Sequence, residues 1–211
     1  MIVREVVGAE HFAALSCGAV VTCNHFNPFD SIAMHVAYEA AGHKKRKLYR
    51  VIREGNYTSF GGFYGYLMRN FYTLPLSSNR KTMQKFVGAT DTLLRDGNFV
   101  LIYPEQSMWW NYRKPKPLQK GAFSIAAKNG VPILPVFITM KDSDIKGEDG
   151  FPVQEYTIHI CAPVYPDQAT YQENVAHLMA QNQRIWREIY EKTYGIPLFY
   201  TTKEQSSEDV G

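Results

Sequence analysis

Apolar positions along the chain recur in two rhythms. Short runs of β-favouring residues at 2–8, 19–23, 48–52, 98–103 and 131–140 read as strands, and the near-continuous apolar interior of 98–103 predicts a strand covered on both faces. Segments with a 3.6-residue rhythm come between them. Residues 28–41 carry Ile32, Val36 and Ala40, or Ala33, Ala37 and Ala41, at helical spacing, with Asn27 as the expected N-cap and Gly42 as the stop. Residues 80–95 place Met83, Phe86, Val87, Thr90, Leu93 and Leu94 on one helix face ending at Asp96-Gly97. A shorter helix is expected at 121–129, stopped by Gly130, and a long amphipathic one at 168–193. Residues 141–150 read as a polar turn into 153–161, whose alternation predicts an edge or antiparallel strand. This order predicts the α/β class: a single-domain layered sandwich over residues 1–200, with a central mixed, largely parallel sheet flanked by helices, and a polar tail at 201–211.

Three stretches fit neither rhythm. Residues 60–76 are crowded with Phe60, Phe63, Tyr64, Tyr66, Leu67, Phe71 and Tyr72, a composition that suits either buried core or the headgroup layer of a bilayer. Residues 104–120 form a long connection holding Trp109, Trp110, Tyr112, Arg113, Lys114 and Lys116. A loop of that length and aromatic content is expected to be functional rather than disordered, as a lid over an apolar pocket or a contact with lipid headgroups. The basic cluster at 44–47 reads as a solvated loop, with a lipid contact as the alternative.

Composition narrows the class. At 211 residues, 45% of them hydrophobic, the chain can bury one substantial core rather than two. A formal charge of +3 is too small to argue for nucleic acid, so none is expected as a partner, whereas a modest basic excess suits anionic headgroups. Cys17, Cys23 and Cys161 form no closely spaced metal pair and cannot all be bridged within the chain, which favours a reducing compartment. His35, His43, His159 and His177 lack metal-ligand spacing, and no metal is expected. No apolar run is long enough to span a bilayer and no charged-then-apolar leader opens the chain, so the expected location is cytoplasmic, peripheral on the inner membrane face.

Candidate chemistry gathers where the 19–23 strand meets the 28–41 helix. His25 and Asp30 are five residues apart and point in different directions on a continuous helix, but a strand-to-helix turn lets them pair. Asp30 then accepts a hydrogen bond from one imidazole nitrogen and leaves the other to take a proton from a substrate. The ordinary alternative is a polar capping cluster at a helix start. Glu105 follows Pro104 at the end of an apolar strand, where the alternative is a surface acid. Lys120 precedes Gly121, which lets backbone approach a ligand and starts a helix whose amides favour anions. Carboxyl ends of parallel strands gather distant residues, which brings His25, Glu105 and Lys120 within reach of one another. Cys23, two residues before His25, is read as core rather than as a nucleophile.

The run Asn24-His25-Phe26-Asn27-Pro28-Phe29-Asp30 resembles the Asn-His-x-x-x-x-Asp motif of the glycerolipid acyltransferases, the 1-acylglycerol-3-phosphate acyltransferase family. Three later stretches follow in the family's order. Tyr103-Pro104-Glu105-Gln106-Ser107 resembles its Phe-Pro-Glu-Gly-Thr block, Lys120-Gly121-Ala122-Phe123 its Lys-Gly-Ala-Phe segment, and Val131-Pro132-Ile133-Leu134-Pro135-Val136 its Val-Pro-x-x-Pro-Val block. The resemblance implies a lysolipid O-acyltransferase with His25 as general base and Asp30 orienting it. It implies a thioester co-substrate, acyl-CoA or acyl carrier protein, no cofactor, and a membrane surface as partner. Glu105 would then help to bind the acceptor, lysophosphatidic acid or a related lysophospholipid. Two departures bear on that acceptor. Gln106-Ser107-Met108-Trp109 replaces Gly-Thr and the arginine that often follows, and the family arginine after an Ile-Pro-Val-like run is missing after Leu74-Pro75-Leu76. Either Arg80 substitutes, or Arg113, Lys114 and Lys120 supply the charge, or the acceptor is not a simple glycerol phosphate. A non-catalytic lipid-binding homologue and a thioesterase using His25 on water are the alternatives.

Overall fold

The structure, a computed structural model, describes residues 2–43 and 45–200, without the side chains of Tyr64 and Leu67. Lys44 of the basic cluster, those two side chains of the aromatic run and the 201–211 tail therefore lie outside the described residues. Strands β1 (Ile2–Val7), β2 (Ala19–Thr22), β3 (Leu48–Arg53), β4 (Thr73–Leu76), β5 (Phe99–Ile102), β6 (Ile133–Lys146) and β7 (Pro152–Ile160) form one sheet in the order β1-β7-β6-β2-β5-β3-β4. β2 to β6 are mutually parallel, β7 returns antiparallel to β6, and β1 pairs parallel with β7. The sheet is mixed and mostly parallel, as the alternation of elements predicts.

Helices α1 (Ala9–Ala13) and α2 (Asp30–Ala40) cover one face of the sheet over Val21, Phe99, Leu101 and Val136. The other face, over Val20, Val100, Ile133 and Phe137, is covered by α5 (Arg80–Arg95), α6 (Gly121–Asn129) and α7 (Tyr171–Tyr194). Two short helices, α3 (Glu54–Thr58) and α4 (Gly62–Asn70), join β3 to β4. Burial on both faces explains why β2 and β5 are almost wholly apolar. α5 and α6 begin and end where the periodicity places them. Asn79 caps α5 by accepting from the Lys81 and Thr82 amides, and Thr170 and Glu173 form a reciprocal capping box that starts α7.

Several expectations need correction. Asn27 does not cap α2, because the chain makes one tight turn first: the Asn27 side chain accepts from the Phe29 amide at 2.9 Å and its carbonyl from the Asp30 amide at 3.1 Å. The helix therefore begins at Asp30. Polar residues 141–146 continue β6 instead of turning, since their backbone pairs with β7 while their side chains meet solvent. β7 is antiparallel but internal, because β1 covers its other side. Pro135 lies in an inner strand. Its missing donor is tolerated beside Thr22, and its carbonyl accepts from Cys161. α1 and α3, five residues each, are too short for a periodic signal. The described aromatic side chains of the 60–76 run are largely exposed, Phe63 and Tyr66 on α4 at 76% and 58%, whereas Leu74 of the same run joins the core.

Candidate active site

β2 ends at Thr22, and the next five residues carry the chain from strand to helix across the centre of the sheet. Asn24 makes the departure possible. Its side-chain amide donates to the Ile138 carbonyl at 2.9 Å and accepts from the Ile138 amide at 2.8 Å, replacing the peptide that β2 no longer offers to β6. His25 can then turn off the ladder. Beneath the turn, the Thr22 hydroxyl donates to Asn182 at 2.5 Å and ties α7 to the same strand.

His25 and Asp30 pair as the turn geometry requires, with Nδ1 and Oδ2 separated by 2.7 Å. Asp30 is fully buried, and its carboxylate is surrounded by donors. Oδ2 also faces the amides of Phe26 at 3.3 Å and Asn27 at 3.4 Å, while Oδ1 accepts from the Tyr103 hydroxyl at 3.0 Å. A carboxylate has only acceptors, so Nδ1 must carry the imidazole hydrogen. Nε2 then keeps its lone pair, and it has no protein partner among the described residues. The His25 side chain is 26% exposed, open enough to meet a substrate. Pairing at this geometry is more than capping, which would not hold an imidazole against the carboxylate.

Glu105 arrives from the carboxyl end of β5, the strand beside β2, and accepts from the His25 amide at 3.4 Å. Burial pushes its carboxyl up to about 8, against the pull of the Lys116 ammonium and of the Lys116 and His25 amides. The negative charge of Asp30 pushes it further up. Glu105 is thus mostly a neutral acid near pH 7, able to donate as well as accept. Lys116, largely covered, donates to the Ser107 carbonyl at 2.8 Å and hydroxyl at 3.0 Å, and sits 4.5 Å from the Trp109 ring centre. It pins the 104–120 connection from within. Asn111, held at a positive φ of 50°, joins that connection to the 24–30 turn: its amide donates to the Phe26 carbonyl and its side chain accepts from Asn27.

Among the described residues, Lys120, Gly121, Arg80 and Arg113 make no hydrogen bond or ion pair with His25 or Asp30. Gly121 opens α6, and a Cβ there would touch only Gln106 Nε2, at 3.8 Å, so space alone does not demand glycine. Lys120 faces solvent just before it. Arg80 is exposed at the carboxyl end of edge strand β4, with β3 between it and β5, about 10 Å away across the sheet. Arg113 is committed elsewhere, to Asp142 at 2.7 Å and to the face of Tyr194. Neither arginine reaches His25. Residues 45–47 of the basic cluster lie at the amino end of β3, the opposite end of the sheet from His25, where Arg46 donates to the carbonyls of Leu15 and Ser16. Cys23 is fully buried, and burial with the charge of Asp30 pushes its thiol well up, so it is no nucleophile. Sequence reasoning missed the roles of Asn24, Tyr103 and Lys116. Only Tyr103 left a trace, a hydroxyl where the resembled motif has phenylalanine.

A family model for acyltransferases matches residues 3–139. The chain belongs to the acyltransferase family. The match spans every residue discussed at the site except Asp142, Asn182 and Tyr194. Among solved structures, the 1-acyl-sn-glycerophosphate (LPA) acyltransferase PlsC from Thermotoga maritima has a similar fold. The TM-score is 0.61 at 20% identity, over 88% of this chain and 72% of that one. No curated protein sequence matches the chain.

Proposed function

We propose that this acyltransferase moves a fatty acyl group from acyl-CoA or acyl carrier protein to a hydroxyl of a lysolipid, lysophosphatidic acid or a related lysophospholipid. The observation that carries the reading is the 2.7 Å bond from His25 to a fully buried Asp30, which leaves Nε2 bare and accessible. The acceptor hydroxyl gives its proton to Nε2 as its oxygen attacks the thioester carbon. Asp30 steadies the imidazolium. The tetrahedral intermediate collapses with cleavage of the carbon–sulfur bond, and the imidazolium returns its proton to the departing thiolate. Neutral Glu105 beside the turn offers a hydrogen bond to the acceptor's polar end. No covalent enzyme intermediate forms and no cofactor is needed.

A membrane surface is the second proposed partner. Phe29, Phe60, Phe63, Trp109, Trp110 and Phe151 are each 45% to 76% exposed, on connections that leave the carboxyl ends of β2, β3, β5 and β6. Residues 106–120 add Lys114 and Lys120 without an acidic residue, Arg113 and Lys116 of the same stretch being held by Asp142 and Ser107. Rings with cations beside them suit the headgroup layer of anionic lipids. No helix among the described residues is long and apolar enough to cross a membrane. The location is then proposed as the cytoplasmic face of the inner membrane.

The test combines thiol release from acyl-CoA with lipid mass spectrometry over a panel of lysolipids, on wild type and His25→Ala. Acceptor-dependent thiol release and acylated product, both lost in His25→Ala, support the reading. An active alanine variant refutes it. Thiol release independent of acceptor indicates a thioesterase, and vesicle binding without thiol release a non-catalytic lipid binder.

A further inference from the structure

Tyr103 holds three contacts that no single core residue needs. Its ring stacks on the His25 imidazole, with centroids 4.2 Å apart and planes 23° from parallel. Its hydroxyl donates to Asp30 Oδ1 at 3.0 Å. The same oxygen lies 2.9 Å from Ser31 Oγ, and because its one hydrogen faces the carboxylate, Ser31 is the donor of that bond. A chain of hydrogen bonds thus runs Ser31, Tyr103, Asp30, His25. A phenylalanine at 103, as in the Phe-Pro-Glu-Gly-Thr block, would supply the ring alone.

We propose that Tyr103 is a positioning residue of the acyl-transfer reaction, its ring fixing the plane of His25 and its hydroxyl restraining the proton affinity of the His25–Asp30 pair. This rests on the acyltransferase reading above. The direction follows from the contacts. Each donor to Asp30 stabilises its charge and weakens its pull on a proton shared with His25. Loss of the Tyr103 hydroxyl leaves a fully buried carboxylate with one donor fewer. The pair then binds a proton more tightly, wherever within the pair that proton sits. Since catalysis needs neutral His25, the acid limb of the rate profile moves to higher pH. The ring sets a different quantity: it keeps Nε2 aimed away from the turn, so its loss lowers the plateau rate.

Other titratable groups face the pair as well. Cys23 sits at the end of β2, Glu105 beyond β5 and Tyr156 on β7, where it packs edge-on against Phe26, while Arg50 of β3 lies toward Tyr103. Burial and the charge of Asp30 push Tyr103 well up, which keeps its hydroxyl protonated as a donor across the working range. The Cys23 thiol is held neutral in the same way, and Glu105, at about 8, is the one neighbour that titrates near neutrality. A Glu105→Gln background therefore separates its titration from that of the pair.

The experiment compares Tyr103→Phe and Tyr103→Leu with wild type, each with and without Glu105→Gln. It measures kcat/KM against pH and, independently of turnover, the NMR titration of the His25 ring in the resting protein. Tyr103→Phe should raise the acid limb and the His25 titration together by roughly 0.5 to 1 pH unit, with a plateau close to wild type. Tyr103→Leu should show the same displacement and a plateau lower by about tenfold or more. An unmoved titration in Tyr103→Phe overturns the role of the hydroxyl, and equal plateaus in Phe and Leu overturn that of the ring. If wild type proves inactive on every acceptor, the acyltransferase reading fails, and the NMR titration still decides whether the hydroxyl acts on the pair. Thermal melts establish that each variant is folded, and Tyr103→Met replaces Tyr103→Leu if the latter is not.

Discussion

The candidate catalytic turn at residues 24–30 and the α3–α4 connection leave neighbouring parts of the same sheet, yet they are built on opposite plans. In the turn, Asn24 is matched on both sides by Ile138, Asp30 faces four donors, and Asn27 is tied to the 104–120 connection. In the connection, Phe63 and Tyr66 stand open to solvent. Order there comes from Arg69, which donates to the carbonyls of Tyr57 and Phe60, and from Gly65, where a Cβ would lie 1.9 Å from the Phe60 carbonyl oxygen. Under the proposed function, the contrast separates two tasks. A proton acceptor has to be held before substrate arrives, whereas a surface that meets lipid completes its burial only on contact.

Substitutions test that division, and the largest effects belong to the turn. His25→Ala should lower acyl transfer by about 10³-fold or more with an unchanged melting temperature, measured by thiol release. Asp30→Asn should cost about 10²-fold in kcat/KM and roughly 2 to 3 kcal/mol of stability in denaturant titration, because its amide nitrogen would meet donors where the carboxylate now accepts. Glu105 should reveal itself through pH. Its folded-state pKa of about 8 lies above the ordinary carboxylate value, so its contribution is full below that ordinary value and is lost as pH rises through about 8. Wild type should therefore lose on the order of a few kcal/mol between pH 5 and 9. Glu105→Gln should abolish most of that slope in melts across the range.

On the open side the effects should be smaller and of another kind. Phe63→Ser with Trp110→Ser should weaken binding to anionic vesicles by roughly tenfold while leaving the melting temperature in place. Unchanged sedimentation would show that these rings are not the lipid contact. Arg113→Ala should cost less than about 1 kcal/mol, since its ion pair with Asp142 is exposed at both ends, and should leave turnover near wild type.

How much of this could be read from the residues follows from the range of each interaction. The bounds of α5 and α6 were evident because periodicity, Asp96-Gly97 and Gly130 are local signals, although the Asn79 cap went unread. His25 and Asp30 were evident because five residues across a turn is also a local relation. The position of β7 was not, since only the pairing of β1 with it, from the other end of the chain, makes it internal. Lys116 reads as one more loop cation until the fold closes Ser107 and Trp109 around it. Arg80 and Arg113 were chosen for their charge. Sequence carries no sign that a strand separates the first from Glu105 or that Asp142 holds the second.

β2 takes both its neighbours, β5 and β6, from later in the chain, after β3 and β4 have already been made. A nascent chain therefore emerges with its histidine early and its histidine's surroundings late. Asn24 waits for Ile138, and Asp30 waits for Tyr103. Until those strands dock, the His25–Asp30 pair lacks its supports, and the proposed base is organised only with closure of the sheet rather than before it.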